Sequence, residues 1–291
     1  MNPVPFDYHR AGSVEEAIAF LREHGEGAKL LAGGHSLLPI MKLRLAQPAH
    51  LVDIGGLASL RGIRIDGDTI RIGALTTHHT IETDEALRRA CPLLPEVARV
   101  IGDRQVRNRG TIGGTLAHAD PAADFPAAVL ALDATLVARG ADGERTIPAG
   151  DFFLGFLTAA LNPDEVLTEI RISTPPARTG MSYQKLANQA SGYATVGVAA
   201  LVTLGEDDTC RQACIGITGA GANAVRATAV EEALTGRRPD EATIRDAAAL
   251  ADEGIEFLDD IHASADYRQQ VTRGLTRRAL QTAVARARDS R

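Results

Sequence analysis

The chain is poor in cysteine, with only Cys91, Cys210 and Cys214 in 291 residues and no Cys-x-x-Cys pair. An odd number at these spacings argues against a disulfide framework and for reduced thiols that behave as small core hydrophobes. No apolar run is long enough to cross a bilayer, and the start, Met-Asn-Pro-Val-Pro-Phe-Asp-Tyr, lacks the charged-then-apolar build of a secretory signal. The expected location is the cytoplasm. There is no dense basic block: 31 Lys and Arg against 37 Asp and Glu leave a net charge of −6, which argues against nucleic acid as the main partner. Repeats and low-complexity tracts are also missing. A hydrophobic fraction of 45% and a charged fraction of 23% leave an ordinary globular protein, long enough for two domains.

What the sequence does contain is a glycine pair at two places, Ala32-Gly33-Gly34-His35-Ser36 and Thr111-Ile112-Gly113-Gly114-Thr115. Each is expected to follow a short apolar strand. A glycine pair lets the chain turn through positive φ and present bare backbone N–H groups, which can hold phosphate without lysines. Ser36, Thr111 and Thr115 add hydroxyl donors. The separation rules out one compact loop, so a shared ligand must be long, and a dinucleotide is long enough.

Around these pairs the pattern alternates between layers. Ser13-Val-Glu-Glu16 is a capping box, followed by Val14, Ala17, Ile18 and Leu21 at helical spacing and by Gly25 as a stop. Strands at Lys29–Ala32 and 51–54 complete a βαβ-like unit over 3–55. Residues 63–72 alternate around Asp66-Gly67 as a hairpin. Residues 78–101 read as helix broken at Pro92 and Pro95, and Asp120-Pro121 is expected to open a helix running through Leu132. Strands follow at 134–139 and 166–172, and Pro175-Pro176 marks a boundary. Beyond it, 181–187, 196–204 and 211–217 read as strands, with a turn at Gly205-Glu-Asp-Asp, and 227–288 as three helices.

Several candidate sites have plainer explanations. Gly219-Ala-Gly221-Ala-Asn-Ala224 imitates a dinucleotide fingerprint, but no strand bearing an acidic residue follows about 20 residues later, so it reads as a strand-to-helix turn. His118, Asp120 and Asp124 suggest a metal, yet helix capping accounts for Asp120. Asp124, one turn further on, could reach ligand hydroxyls. His78-His79 reads as a solvated loop or helix start. Arg104, Arg107 and Arg109 read as a solvated face that could assist a diphosphate or a partner protein.

The strings Ala-Gly-Gly-His-Ser-Leu-Leu-Pro-Ile-Met-Lys-Leu-Arg-Leu (32–45) and Thr-Ile-Gly-Gly-Thr-Leu-Ala-His-Ala-Asp-Pro-Ala-Ala-Asp (111–124) resemble the FAD-binding medium subunits of molybdenum hydroxylases, the xanthine dehydrogenase family. The carbon monoxide dehydrogenase branch is the nearest. The resemblance spans the chain and includes Gly192-Tyr-Ala-Thr-Val-Gly-Val-Ala-Ala200. It implies an α+β protein: a vanillyl-alcohol-oxidase-like (PCMH-type) FAD-binding fold at 1–176, in subdomains of about 1–57 and 58–176, then a C-terminal domain at 177–291 of three-stranded antiparallel sheet with a helical bundle. Ala32, Gly33, Gly34, His35 and Ser36, with Thr111, Ile112, Gly113, Gly114 and Thr115, would carry the FAD pyrophosphate. Asp124 would bond the cofactor's sugar-alcohol chain, Ile101 would lie near the adenine, Leu167 and Lys185 would contact the flavin half, and Tyr193 would cover the ring. Lys185, as a cation near that ring, would favour the reduced, anionic flavin.

The implied role is electron transfer. FAD, held non-covalently despite the ambiguous His35, would collect electrons from the [2Fe-2S] clusters of a small subunit after a molybdopterin large subunit had oxidised the substrate. A dimer of heterotrimers and an external electron acceptor are implied, with a peripheral position at the inner face of the membrane as an alternative to free cytoplasm. The three cysteines do not supply the extra four-iron cluster of a related reductase branch. The substrate, whether carbon monoxide, an aldehyde or an N-heterocycle, would be chosen by the molybdenum subunit, and quinone, NAD and oxygen are all compatible acceptors. Two rival readings are a self-sufficient flavin oxidase or dehydrogenase, which would need its own base over the ring, and a flavin-free scaffold.

Overall fold

The computed structural model describes residues 2–290. The chain begins with β1 (Asp7–Arg10), α1 (Val14–His24), β2 (Ala28–Leu31), α2 (Leu37–Lys42) and β3 (His50–Asp53), whose strands form a parallel sheet in the order β1-β3-β2. The Ser13 hydroxyl accepts from Glu16 N at 3.1 Å, and the Glu16 carboxylate accepts from Gly12 N at 2.7 Å. These bonds satisfy amides left free at the helix start. Val14, Ala17, Ile18 and Leu21 are buried, as their spacing requires, and Gly25 ends the helix at φ +52°. Lys29–Leu31 therefore enters the first glycine pair from a strand, as expected.

The middle of the chain is a hairpin, a run of helices and a second sheet. It comprises β4 (Ile63–Asp66), β5 (Thr69–Gly73), α3 (His78–Thr83), α4 (Glu85–Ala90), α5 (Leu93–Val100), α6 (Arg104–Arg109), α7 (Ile112–His118), α8 (Phe125–Ala131), β6 (Thr135–Gly140), β7 (Gly143–Pro148), β8 (Phe153–Gly155), β9 (Thr158–Ala159) and β10 (Val166–Ser173). Five strands pair antiparallel in the order β4-β5-β10-β6-β7, while β8 and β9 form a separate hairpin. Three local expectations change. Pro95 sits inside the first turn of α5, where a missing N–H costs nothing; the earlier break is at Asp84, whose carboxylate caps α4 through Leu87 N at 2.7 Å. The second glycine pair follows helix α6 rather than a strand, and it forms the first turn of α7, capped by Thr111. Asp120-Pro121 makes a turn in which Asp120 accepts from Ala122 N at 2.9 Å, and α8 starts only after Asp124. Asp120 and Asp124 therefore do not share a helix face.

The third layer is β11 (Thr179–Ala187), β12 (Ala194–Leu204), β13 (Cys210–Thr218) and β14 (Val225–Arg226), antiparallel in that order, followed by α9 (Thr228–Leu234), α10 (Glu241–Ala248) and α11 (Ala265–Asp289). The expected three-stranded sheet gains a two-residue edge strand, and Gly219–Ala224 joins β13 to β14 instead of opening a helix. All eleven residues of β12 are buried, which explains its continuous apolar run: both faces are covered. Val196, Val198, Ala200, Val202 and Leu204 pack under the C-terminal helices, whereas Ala199 and Leu201 join the core around α8.

Two glycines set these distances. A Cβ on Gly180 would lie 1.9 Å from the Ala283 carbonyl of α11, and one on Gly216 would lie 2.0 Å from the Ala127 carbonyl of α8. Gly216→Ala is accordingly expected to destabilise the protein by about 1–3 kcal/mol through overpacking, measured as a lower midpoint in urea unfolding. Gly150→Ala, which meets no atom within 4 Å, should change stability by less than about 0.5 kcal/mol.

Candidate functional site

The two glycine segments, about eighty residues apart in sequence, meet. A Cβ on Gly33 would lie 2.2 Å from the Arg109 carbonyl oxygen and 3.0 Å from Gly110 Cα, so only glycine permits this approach. Gly34 adopts φ +76°, turning the chain toward α2. Among the described residues, the N–H groups of Gly33, Gly34, His35 and Ser36 donate to no protein acceptor. His35 folds its Nδ1 back to the Gly33 carbonyl at 3.1 Å, and all four residues line a common cleft. This is the bare backbone cradle expected of the first pair.

The second pair works differently. The N–H of Ile112 bonds Thr76 O at 3.1 Å, Gly113 bonds Ala74 O at 2.8 Å, Gly114 bonds Thr111 Oγ1 at 3.1 Å and Thr115 bonds Thr111 O at 3.0 Å. Its amides are spent inside the protein, which corrects the idea of two equivalent cradles. Gly113 is required for packing instead, since a Cβ there would lie 2.5 Å from Ala74 Cβ. What the segment offers is the hydroxyls of Thr111 and Thr115. Both segments line one cleft of about 680 Å³ that extends past Ile101, Asp124 and Leu167 to Tyr193, a volume in the range of cofactor sites.

Thirteen of the fifteen residues singled out from the sequence line this cleft; Ile112 and Lys185 do not. Ile112 is fully buried in the core. Lys185 is spent on an internal pair: its Nζ donates to Asp124 Oδ2 at 2.9 Å and to Val100 O at 3.2 Å. Asp124 Oδ1 also accepts from the Tyr183 hydroxyl at 2.6 Å. Burial pushes the Asp124 carboxyl up while the Lys185 ammonium and the Tyr183 hydroxyl pull it down; burial beside that carboxylate holds the Tyr183 hydroxyl well above its usual range. Lys185 is thus a neutralised partner of Asp124 at the cleft floor, not a free cation on its wall. Tyr193, 42% exposed, stands at the end of the cleft, its hydroxyl pushed up by burial and by the Asp120 carboxylate.

The sequence reading missed two groups. His78 starts a helix as expected but is not solvated: it is 2% exposed, with Nε2 3.3 Å from Thr115 Oγ1 and the ring against Phe125 at 5.2 Å. Burial, with His35 and Arg107 nearby, lowers its pKa to about 4. Nothing in the His78-His79 dipeptide announces this. Tyr183 was read only as part of a strand, and its role follows from facing Gly197, where a Cβ would meet its hydroxyl at 2.2 Å. Of the arginines, Arg107 is structural, donating to Glu82 at 2.8 Å and to Ile101 O at 2.7 Å. The three cysteines are buried and free, with burial pushing Cys91 up to about 12 and Cys210 to about 11, as inert thiols require.

Known proteins match the chain along its whole length. Residues 4–175 match the family model of the FAD binding domain in molybdopterin dehydrogenase, and residues 181–283 match the carbon monoxide dehydrogenase flavoprotein C-terminal domain. The carbon monoxide dehydrogenase medium chain of Hydrogenophaga pseudoflava is 42% identical over 98% of this chain and 99% of its own. The 6-hydroxypseudooxynicotine dehydrogenase complex subunit alpha of Paenarthrobacter nicotinovorans is 38% identical over 100% and 98%. A solved structure of the Hydrogenophaga pseudoflava carbon monoxide dehydrogenase, one lacking the Mo-pyranopterin moiety, superposes with a TM-score of 0.96 at 43% identity, covering 98% of this chain and 99% of that one.

The buried histidine makes stability pH-dependent. Its pKa lies below the unfolded value of about 6.5, so between about pH 6.5 and 4 the unfolded chain binds a proton that the folded chain excludes. Stability present above pH 6.5 is therefore lost on acidification, by up to about 3 kcal/mol across the window. Urea unfolding at pH 7 and pH 4 should show this loss, and His78→Phe should remove it.

Proposed function

The chain belongs to the family of FAD-binding molybdopterin dehydrogenase subunits with a carbon monoxide dehydrogenase flavoprotein C-terminal domain, and on that premise we propose that it is the FAD-containing electron-transfer subunit of a molybdenum hydroxylase complex. The observation that carries this reading is the convergence of the two glycine segments on one elongated cleft. The cleft fits the cofactor. Unpaired amides at Gly33, Gly34, His35 and Ser36 and the hydroxyls of Thr111 and Thr115 are the donors a diphosphate needs, and the Gly33 approach would be filled by any Cβ.

In this reading the residues divide the work along the cleft. Ala32–Ser36 and Thr111–Thr115 hold the diphosphate, with Ile112 acting from the core as an anchor for α7. Asp124, fixed by Tyr183 and Lys185, meets the sugar-alcohol chain. Ile101 flanks the adenine, Leu167 the flavin half, and Tyr193 shields the ring. Lys185 acts through Asp124. Bound there, FAD supplies a centre that takes electrons singly and gives them up in pairs, while the protein fixes its position and surroundings.

The same wall disfavours a self-sufficient oxidase. Such an enzyme needs a free base over the ring, and two of the carboxylates on the cleft wall are committed to other partners: Asp124 is held by Lys185 and Tyr183. Glu165 accepts from Arg145 at 2.6 and 2.7 Å and from Asn162 N at 2.7 Å, and Arg145 holds its carboxyl below the usual range. We place substrate oxidation on a molybdopterin partner, with a [2Fe-2S] partner between, in a dimer of heterotrimers that passes electrons to an external acceptor. The parallel sheet falls within residues 1–57, the five-stranded sheet within 58–176 and the third layer within 177–291, which supports that division into two subdomains and a C-terminal domain. Among the described residues no helix is long and apolar enough to cross a membrane, and we place the complex in the cytoplasm or at the inner face of the membrane.

The purified chain should be yellow, and acid precipitation should release the flavin to the supernatant, as a non-covalent cofactor requires even with His35 on the cleft wall. Gly33→Ala should weaken FAD binding at least about tenfold by forcing the two segments apart, read by fluorescence titration of the deflavinated chain. Candidate aldehydes, N-heterocycles and carbon monoxide should leave the flavin absorbance of the isolated chain unchanged, and bleach it only when the molybdenum and iron–sulfur partners are present; direct bleaching would return the self-sufficient oxidase to first place.

A further inference from the structure

His78 has no place in the binding scheme above, yet it is a buried polar residue on the wall of the same cleft. The ring is 2% exposed and packs against the second glycine segment, and His78 and Thr115 both line the cleft. Its backbone N donates to Gly110 O at 3.0 Å. A Cβ on Gly110 would strike the imidazole at 2.8 Å, so the chain entering the segment is laid directly on the ring. Nε2 has one partner, Thr115 Oγ1 at 3.3 Å, and Nδ1 is buried with none.

That asymmetry chooses the tautomer. A neutral imidazole carries one proton. Placed on Nδ1, it would be a buried donor with nothing to accept it, which is the costlier arrangement; placed on Nε2, it is donated to Thr115 Oγ1. The ring is neutral near pH 7, since burial depresses its pKa to about 4. A hydroxyl that already accepts from Nε2–H cannot turn its own proton back toward the ring, and with no other side-chain hydrogen bond to Thr115 Oγ1 among the described residues that proton is left for a ligand in the cleft that Thr115 lines.

We infer that His78 is a positioning residue that locks the Thr115 hydroxyl as a donor toward the diphosphate of the bound dinucleotide. This rests on the FAD reading of the cleft. Without the lock, Thr115 could rotate and present lone pairs to an anion. The neutral ring thus orients one phosphate donor without bringing a charge of its own to the site.

The test is a double-mutant cycle in the deflavinated full-length chain, titrated with FAD and, separately, with riboflavin, which lacks the diphosphate. His78→Phe keeps a ring but removes the donor, and is expected to weaken FAD binding by roughly tenfold. In a Thr115→Val background the same change should have almost no further effect on affinity, because the hydroxyl it orients is gone. His78→Gln, whose amide can donate from the Nε2 position, should restore most of the affinity, and riboflavin binding should not change in any variant. Full additivity of His78→Phe and Thr115→Val, failure of His78→Gln to rescue, or an equal loss for riboflavin would overturn the proposal while leaving the cofactor assignment intact. Failure of the unsubstituted chain to bind FAD would overturn both.

Discussion

The cleft depends on one backbone contact, the seating of Gly33 against the Arg109 carbonyl and Gly110. Gly33 leaves the parallel sheet of the N-terminal layer, and Gly110 leads into α7 on the five-stranded layer. The interlocking of these two pieces of main chain, with no side chain between them, is what makes two distant segments walls of one site. A single methyl group at Gly33 would overlap a carbonyl oxygen, and packed interiors have little room to yield. The two glycine pairs consequently serve different ends: the first frees its amides for a ligand, while the second spends its own amides on Thr76, Ala74 and Thr111 and leaves hydroxyls to face the cleft.

The C-terminal layer completes the site from behind. Tyr183 and Lys185, both on β11, converge on Asp124 at the start of α8. Thr218 Oγ1 donates to the carbonyls of Pro121 and Ala123 at 2.7 Å each, and Ala194 N donates to Ala122 O at 3.1 Å. The turn from Asp120 to Asp124 is therefore built against strands β12 and β13. Arg268 from α11 holds the ends of those strands, donating to Thr195 O at 2.6 Å and Gly219 O at 2.7 Å. A buried carboxylate and ammonium in contact contribute little net stability, but removal of either strands the other. Here the pair fixes a geometry: it holds a carboxylate at the cleft floor in a position set by another layer of the protein.

Much of this architecture is legible in the sequence. The capping box at Ser13, the Asp66-Gly67 hairpin and the buried strand β12 are local or periodic signals, and each appears where the pattern puts it. Departures occur where distant contacts override local preference. Asp120-Pro121 has the residues of a helix start, but the turn is held by β12 and β13, and the helix is delayed to Phe125. His78-His79 carries polar residues in a region expected to be solvated, yet α3 packs against α5 and α6 and the first ring is buried. Lys185 matched a flavin-contacting position by resemblance; its actual partner, Asp124, lies sixty-one residues away, beyond the reach of any local rule.

The sequence by itself determined the chemistry available: two glycine pairs flanked by hydroxyls, a chain long enough for several layers, and three cysteines, an odd number with no Cys-x-x-Cys pair. These follow from composition and from short-range preferences that act wherever the segment is placed. Only the tertiary structure decided which amides remain free, which lysine is neutralised and which histidine is stripped of water. Those properties belong to pairs of groups brought together across layers, and hydrogen bonding and desolvation depend on distance in space, not separation along the chain.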